Sequence, residues 1–342
     1  MKRIQSSVLE KNVVRIFEAM GAAPDHAKLV AELLIKSELA GYGSHGVGRV
    51  RQYVNGIKNG ILDPVAVPEV VLDLPSVARV DGRRAFGQVV AKTAMTTAVG
   101  KARETGLAMV AGFNSNHVGR LSDYVKMAAE HDLMALMMCN GGGPNVAAHG
   151  ARNKVFGTNP VAFAVPSAHG RTMVMDFATS AVTEGNLRVF CNRGEQLDEK
   201  VVMDKDGHFT DNPQAFFEGG ATVPIGRHKG SALSGIVEIM AGIFTGARCS
   251  AFDGYVDGNG IMIKVMRPDL FRPREEFDAD IELLYQKVTG AQKMTGVDRI
   301  YFAGEPELEN VARIAREGVD LDEATWSMLL EISEEAQVNF ET

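Results

Sequence analysis

Gly41-Tyr-Gly-Ser-His-Gly-Val-Gly-Arg49 is the stretch whose reading decides the fold. Gly41, Gly43 and Gly46 satisfy the letters G-x-G-x-x-G of a dinucleotide-binding turn, and Asp63 follows at a distance suited to a ribose-binding acid. Context rejects that reading. The turn needs a strand before it, whereas Leu29, Leu33, Leu34, Ser37 and Ala40 recur at helical spacing after Asp25, a possible cap. Instead, Ser44 is placed to cap a new helix with His45 in its first turn, Arg49 in the next and Tyr53 one turn further on. Four-residue spacing puts an imidazole, a guanidinium and a phenol on one face, a stripe that suits an acidic substrate. A helix N-terminus at His45 would hold its pKa low and turn free N–H groups toward an anion. The same letters also fit a plain capping serine before a solvated basic face.

Composition narrows the classes. The chain has 342 residues, enough for one large domain or two moderate ones, and a formal charge of -7 with no long basic run, which argues against nucleic acid as a partner. Met1 to Met20 intersperses charges among apolar residues, so neither a signal peptide nor a membrane span is expected and the cytoplasm is the default. Cys139, Cys191 and Cys249 are odd in number and far apart, which suits buried thiols better than disulfides or zinc.

Outward from the opening stretch, Ser7 and Glu10 make a capping box before Leu9, Val13, Ile16, Phe17 and Met20, so three helices are expected before any strand. From Pro68 the texture changes to β-branched runs (Val70 to Leu74, Val77 to Val80), then a small-residue helix (Gln88 to Glu104). Strand Leu107 to Ala111, a helix from about Gly119 and strand Leu133 to Met138 follow. Further strands are expected at Val161 to Val165, Met173 to Asp176, Ile261 to Val265 and Arg299 to Phe302. Ser234 to Thr245 reads as a helix buried on most sides, Glu275 to Lys287 as an acidic one, and two helices finish the chain after Gly304-Glu-Pro-Glu307. Asp204-x-Asp206-Gly207 lacks the downstream glutamate of a calcium loop and reads as a turn. The alternation indicates an α/β layer around a buried sheet.

Four histidines sit in polar punctuation: His45, His117, His149 and His228. With Asp176 they could hold zinc, but no H-x-x-x-H spacing is present, and each has a cationic neighbour in Arg49, Arg120, Arg152 or Lys229. Local positive charge welcomes an anion and discourages a metal ion, so no metal is expected. One proton donor, one carboxylate-binding arginine and loops at strand tips form a kit for reducing a 2-oxo acid with hydride from a cofactor. A metal-dependent lyase or hydrolase using the same histidines, or an inactive binder of acidic metabolites, are the alternatives.

Ser44-His-Gly-Val-Gly-Arg49 with Tyr53, Asp81-Gly, Gly87-Gln, Asn114-Ser-Asn-His117, Gly157-Thr-Asn-Pro160, Asp176-Phe-Ala-Thr-Ser180, His228-Lys-Gly230, Asn259-Gly260 and Gly304-Glu-Pro-Glu307 together resemble the type 2 malate/L-lactate dehydrogenase family. Asp81 to Val89 and Asn116 to Arg120 look closest to its hydroxycarboxylate dehydrogenases acting on 2-oxoglutarate and phenylpyruvate-like acids. The resemblance implies an α/β fold with a non-Rossmann, mixed-sheet nucleotide-binding domain (67–305) and a helical domain from both chain ends (1–66 plus 306–342). It implies NAD or NADP as cofactor, a small 2-oxo or 2-hydroxy acid as substrate, and a homodimer. By resemblance His45 is the catalytic acid/base, Arg49 the substrate-carboxylate partner and His117 a second candidate histidine, with Ser44 and Tyr53 beside them. The cofactor would lie along His45, Gly119, Arg120, Leu121, Asn159, Val174, Met175, Asp176, Phe177, Ala178, His228, Lys229, Gly304, Glu305, Pro306 and Glu307. Two positions depart from the family: Asn186 stands after Gly185 where a lysine is usual, and Gly43 precedes Ser44 where an aspartate is frequent.

Overall fold

The apolar periodicity of the first sixty residues becomes helices α1 (Ser6–Ala19), α2 (Pro24–Leu39) and α3 (Val50–Lys58) in a computed structural model describing residues 1–167, 170–255 and 258–342. Further helices are α4 (Gly87–Thr105), α5 (Ser122–Ala129), α6 (Glu184–Arg193), α7 (His228–Val237), α8 (Arg274–Thr289), α9 (Glu305–Glu317) and α10 (Glu323–Glu335). Leu9, Ile16 and Phe17 of α1, Val30 and Leu34 of α2, Val50 and Val54 of α3, and Leu329 and Ile332 of α10 bury one another in a single core. Each such side chain contributes about 1.5–3 kcal/mol by leaving water. The two ends of the chain are therefore held together by packing.

The second core lies on one face of a seven-stranded sheet. Its spatial order is Glu69–Asp73, Val77–Asp81, Leu107–Ser115, Asn259–Met266, Met134–Gly141, Val161–Val165 and Met173–Phe177. Only the pair Val77–Asp81 with Leu107–Ser115 is parallel; the other neighbours are antiparallel. The sheet is mixed, and the element that leads into Gly41 is helix α2 and not a strand, so the glycine pattern there does not belong to a Rossmann turn. Ala91, Met95 and Ala98 of α4 and Tyr124, Val125 and Ala128 of α5 pack on the inner face, where small residues let α4 lie close to the strands. A second, five-stranded sheet of short strands runs Phe209–Thr210, Val202–Met203, Ala221–Thr222, Val146–Ala147, Lys154–Phe156. Within it Asp204 Oδ1 accepts the N–H groups of Asp206 and His208, which makes the 204–207 segment a turn.

Several local expectations are corrected. A short strand, Lys2–Ile4, precedes the helices and pairs with Val319–Leu321; three residues are too few to show a periodicity. No side-chain cap bond forms at α1, and α2 starts on Pro24, whose fixed φ suits a first turn, with Asp25 inside the helix. Arg299 to Phe302 forms no strand: the Phe302 N–H donates to Glu305 Oε2 at 2.8 Å instead of to a neighbouring chain segment. The apolar helix from α7 continues as a π-helix over Glu238–Ile243, and it is not buried on most sides, because Ile236, Ile239, Ile243 and Phe244 are 48–65% exposed. Among the described residues no helix is long and apolar enough to cross a membrane.

Candidate active site

His45 does not open an α-helix. Gly43–His45 and Val47–Arg49 are two 3-10 turns, joined at Gly46 in an extended conformation (φ -90, ψ -150), and α3 begins only at Val50. Ser44 makes no cap bond; its hydroxyl lies 3.2 Å from His45 Nδ1, and its carbonyl accepts Arg49 Nε–H at 2.7 Å. Beneath the turns sits Glu38 of α2, a buried carboxyl that accepts the Val47 N–H at 2.8 Å. A Cβ on Gly46 would lie 1.9 Å from Glu38 Oε1, so only glycine lets the chain wrap this carboxyl. Burial, partly offset by the Val47 N–H, raises the Glu38 pKa to about 7.

The expected stripe of His45, Arg49 and Tyr53 is thus not one helical face, yet the groups still converge. His117 follows strand Leu107–Ser115, and its ring stacks on that of His45 with centroids 5.8 Å apart and planes at 22°. Tyr53, 2% exposed, reaches His117 Nδ1 with its hydroxyl at 2.8 Å, and Gln88 Nε2 donates to that hydroxyl at 2.7 Å. Gly87 makes this possible, since a Cβ there would meet the carbonyl oxygens of Asn116 and His117 at 2.2 and 2.3 Å. Burial lowers His45 to about 3, helped by the positive charges of Arg49 and Arg120. Burial, Arg49 and His45 hold His117 well below its ordinary value. The cause is desolvation and two guanidiniums, in place of the helix dipole expected from the sequence. Both imidazoles are neutral at neutral pH.

Beyond His45, Arg120 is gripped by Asp123 through Nε (3.2 Å) and Nη2 (2.8 Å), while its buried Nη1 has no partner. Arg120 lies over the ring of Tyr42, whose hydroxyl donates to Glu307 Oε1 at 2.6 Å. Asp176 accepts the Ser122 N–H at 2.7 Å, and burial raises its pKa to about 6 despite that bond. Val174 N–H donates to Ala303 O at 3.2 Å, which ties strand Met173–Phe177 to Gly304 and the first turn of α9, where Glu305, Pro306 and Glu307 lie. Met175 and Phe177 are exposed on that strand beside the partly covered Ala178. Gly119 has φ +79, and the Leu121 side chain belongs to the core.

Other expected residues lie elsewhere or are occupied. The Asn159 amide is wholly buried: Nδ2 donates to Ser234 Oγ at 2.9 Å and Glu238 Oε1 at 3.1 Å, and Oδ1 accepts Gly141 N–H at 3.3 Å. It braces the 140–142 and 157–159 loops and has no amide group left for a ligand. His149 and His228 pair with each other, rings 6.0 Å apart, in exposed positions next to Lys229. Glu184 of α6 approaches Arg49 at 3.8 Å, and the neighbouring Asn186 is exposed, its backbone N–H capped by Thr183. Cys139, Cys191 and Cys249 are free thiols, and no metal-holding group of three His, Cys, Asp or Glu occurs among the described residues.

A site of two neutral histidines between arginines, on a mixed sheet, can be set against known proteins. The sequence pattern of the malate/L-lactate dehydrogenase family matches residues 4–330. The chain belongs to the malate/L-lactate dehydrogenase family. Its relatives include the malate/(S)-sulfolactate dehydrogenase of Methanothermus fervidus, 33% identical over 332 residues (95% of this chain and 96% of that protein). A Delta(1)-pyrroline-2-carboxylate/Delta(1)-piperideine-2-carboxylate reductase of Pseudomonas syringae pv. tomato is 33% identical over 326 residues, covering 93% of each. Among solved structures, malate dehydrogenase from Pyrococcus horikoshii OT3 superposes with a TM-score of 0.91 at 30% identity, covering 99% of this chain and 97% of that one.

Within this malate/L-lactate dehydrogenase fold, four residues of the site are given no role by sequence reasoning: Glu38, Tyr42, Asp123 and Gln88, the last quoted only as part of a motif. Glu38 alone left a signal, a carboxylate four residues after Leu34 on the buried stripe of α2. The others acquire their contacts only when distant segments meet.

Proposed function

We propose that this chain transfers a hydride between NAD(P)H and a small 2-oxo acid, giving the 2-hydroxy acid. The observation that carries the proposal is the pair of stacked neutral histidines, 5.8 Å apart, with Arg49 beside them and Arg120 beyond His45. Arg49 binds the substrate carboxylate and His45 exchanges a proton with the carbonyl oxygen, with Ser44 and His117 holding the imidazole in place. The remaining groups have the chemistry a nicotinamide calls for. Arg120 Nη1 and Gln88 Oε1 are a buried donor and a buried acceptor without partners, on residues that border one closed crevice with His45 and Gly119, a crevice that must widen to admit a ring. A primary carboxamide presents the complementary acceptor and donor. When bound, the cofactor supplies the hydride; Asp176, the Gly304–Glu307 turn, Lys229 and His228 are the further residues proposed to hold it, as NAD or NADP.

With Asn186 contributing no charge, the carboxylate depends on Arg49. Arg49→Lys cannot reproduce a bidentate fork and loses the bond to the Ser44 carbonyl, so KM for the oxo acid should rise about tenfold, equivalent to ~1.4 kcal/mol. Steady-state kinetics on the variant checks this, and an unchanged KM would place the carboxylate elsewhere.

The pH dependence has a defined sign. Free His45 titrates at about 3 because it is buried near Arg49 and Arg120. A bound carboxylate offsets those charges and raises the His45 pKa, so binding takes up a proton and affinity grows as pH falls from above the bound-state value toward 3. Oxamate, an unreactive 2-oxo acid analogue, titrated into the cofactor-loaded protein from pH 8 down to pH 4.5 should bind more tightly as the pH falls. A dissociation constant that stays flat or weakens over the whole range would contradict proton uptake.

A homodimer is proposed on the same reading, supported by the bare face of Ile236, Ile239, Ile243 and Phe244, which a second copy would cover. Sedimentation should find a dimer at assay concentration; a fully active monomer would refute it. The division into a helical domain (1–66 plus 306–342) and a cofactor-binding domain (67–305) is proposed from the two separate cores. The free thiols support a cytoplasmic location. Enhancement or quenching of NADH fluorescence on mixing tests the function against a non-dinucleotide binder, and metal analysis of the purified protein tests it against a metal-dependent lyase or hydrolase.

A further inference from the structure

The seam between α3 and α4 holds a polar chain that the proposed proton transfer does not itself use. Gln88, 1% exposed, donates from Nε2 to the Tyr53 hydroxyl oxygen at 2.7 Å, and that hydroxyl lies 2.8 Å from His117 Nδ1. A phenol has a single proton. With its oxygen already accepting from Gln88, the proton points along the remaining contact to His117 Nδ1, which must then be the bare, accepting nitrogen. We propose that Gln88 is a positioning residue that fixes the His117 tautomer through Tyr53, keeping the ring proton on Nε2.

The orientation of one amide decides the whole chain. Were the Gln88 amide reversed, its oxygen would accept from Tyr53, the phenol oxygen would accept from His117, and the proton would sit on Nδ1. Gln88 Oε1 and Arg120 Nη1 bear on which is favoured: both atoms are buried and lack a partner, and their residues border one crevice with His45 and Gly119. A carbonyl oxygen turned toward the space bounded by a guanidinium is stabilised by its field, whereas an amide NH2 there is repelled. Tyr53 stays protonated as the relay requires, burial having pushed its pKa up to about 12. The backbone enforces the placement, because Gly87 lets the first turn of α4 press against the carbonyls of Asn116 and His117, which carries Gln88 under the ring it controls. The tautomer in turn decides whether His117, stacked on His45, presents a donor or an acceptor at Nε2.

The catalytic consequence rests on the proposed function, but the tautomer does not, so it is read in the free protein. In protein labelled with 15N-histidine, His117 is assigned by its absence in His117→Gln, and two-bond proton–nitrogen correlations report which ring nitrogen is protonated. The expected spectrum has the proton on Nε2 and a bare Nδ1. Gln88→Met conserves volume and removes the donor. It should yield a mixture of both tautomers, with kcat reduced roughly tenfold, less than the ~100- to 10,000-fold of a lost proton donor. A proton on Nδ1 in the wild type overturns the proposal, as does a single Nε2–H tautomer retained in Gln88→Met, or a tautomer mixture with unchanged kcat. Absence of dehydrogenase activity would count against the proposed function, while the spectrum alone still judges the tautomer.

Discussion

Replacement of His45 by alanine is expected to cut turnover ~100- to 10,000-fold, the usual contribution of a positioned proton donor, while NADH binding stays measurable. The loss is expected to be specific because the contacts of the imidazole, stacking on His117 and an approach to the Ser44 hydroxyl, lie outside the two hydrophobic cores. Single-turnover kinetics with fluorescence titration of NADH separates the two effects. Near-normal turnover would move the proton-exchanging role to His117, which has the same burial and the same neutral state.

Gly46→Ala should lower both stability and turnover, although position 46 touches no substrate. The added methyl would lie 1.9 Å from Glu38 Oε1 and 2.3 Å from its Cδ, inside a buried site where the carboxyl cannot retreat without abandoning the Val47 N–H. Overpacking of this kind costs about 1–3 kcal/mol, and an unpaired buried N–H adds to it. The two 3-10 turns carrying His45 and Arg49 would shift, so kcat should fall at least roughly tenfold, since a small misplacement of catalytic groups has a large effect. Urea unfolding and steady-state kinetics on the variant measure both consequences; wild-type stability with wild-type kcat would show that Glu38 does not hold the turn.

The sequence makes the helices and most strands of the large sheet legible, because Leu9, Val13, Ile16 and Phe17, or the apolar runs at Val110 and Ile263, repeat with the period of the structure they form. Pairing between Lys2–Ile4 and Val319–Leu321 is not legible, since it depends on two three-residue segments more than three hundred positions apart. The His45 turn is half readable. Spacing picks out its residues, but the glycines at 43, 46 and 48 accompany two 3-10 turns in place of an α-helix, and spacing alone does not show a carboxyl filling the hollow they leave. Asn159, placed along the cofactor by the resemblance, is enclosed by folding among Ser234, Glu238 and Gly141, a set of partners that its sequence neighbours do not show. Polar residues that act through long-range contacts show their partners only in the fold: Gln88 stands in a quoted motif and Glu38 on an apolar stripe, yet neither position names Tyr53 or Val47 as what it holds.

Hydride transfer to a 2-oxo acid is tested most directly by a panel of such acids, including oxaloacetate, pyruvate, 2-oxoglutarate and phenylpyruvate, each mixed with the protein and either NADH or NADPH. The predicted result is loss of reduced-nicotinamide absorbance that requires both protein and oxo acid, with the matching 2-hydroxy acid formed in equal amount. Oxidation of neither cofactor by any acid, by protein shown to bind NADH or NADPH, would contradict it.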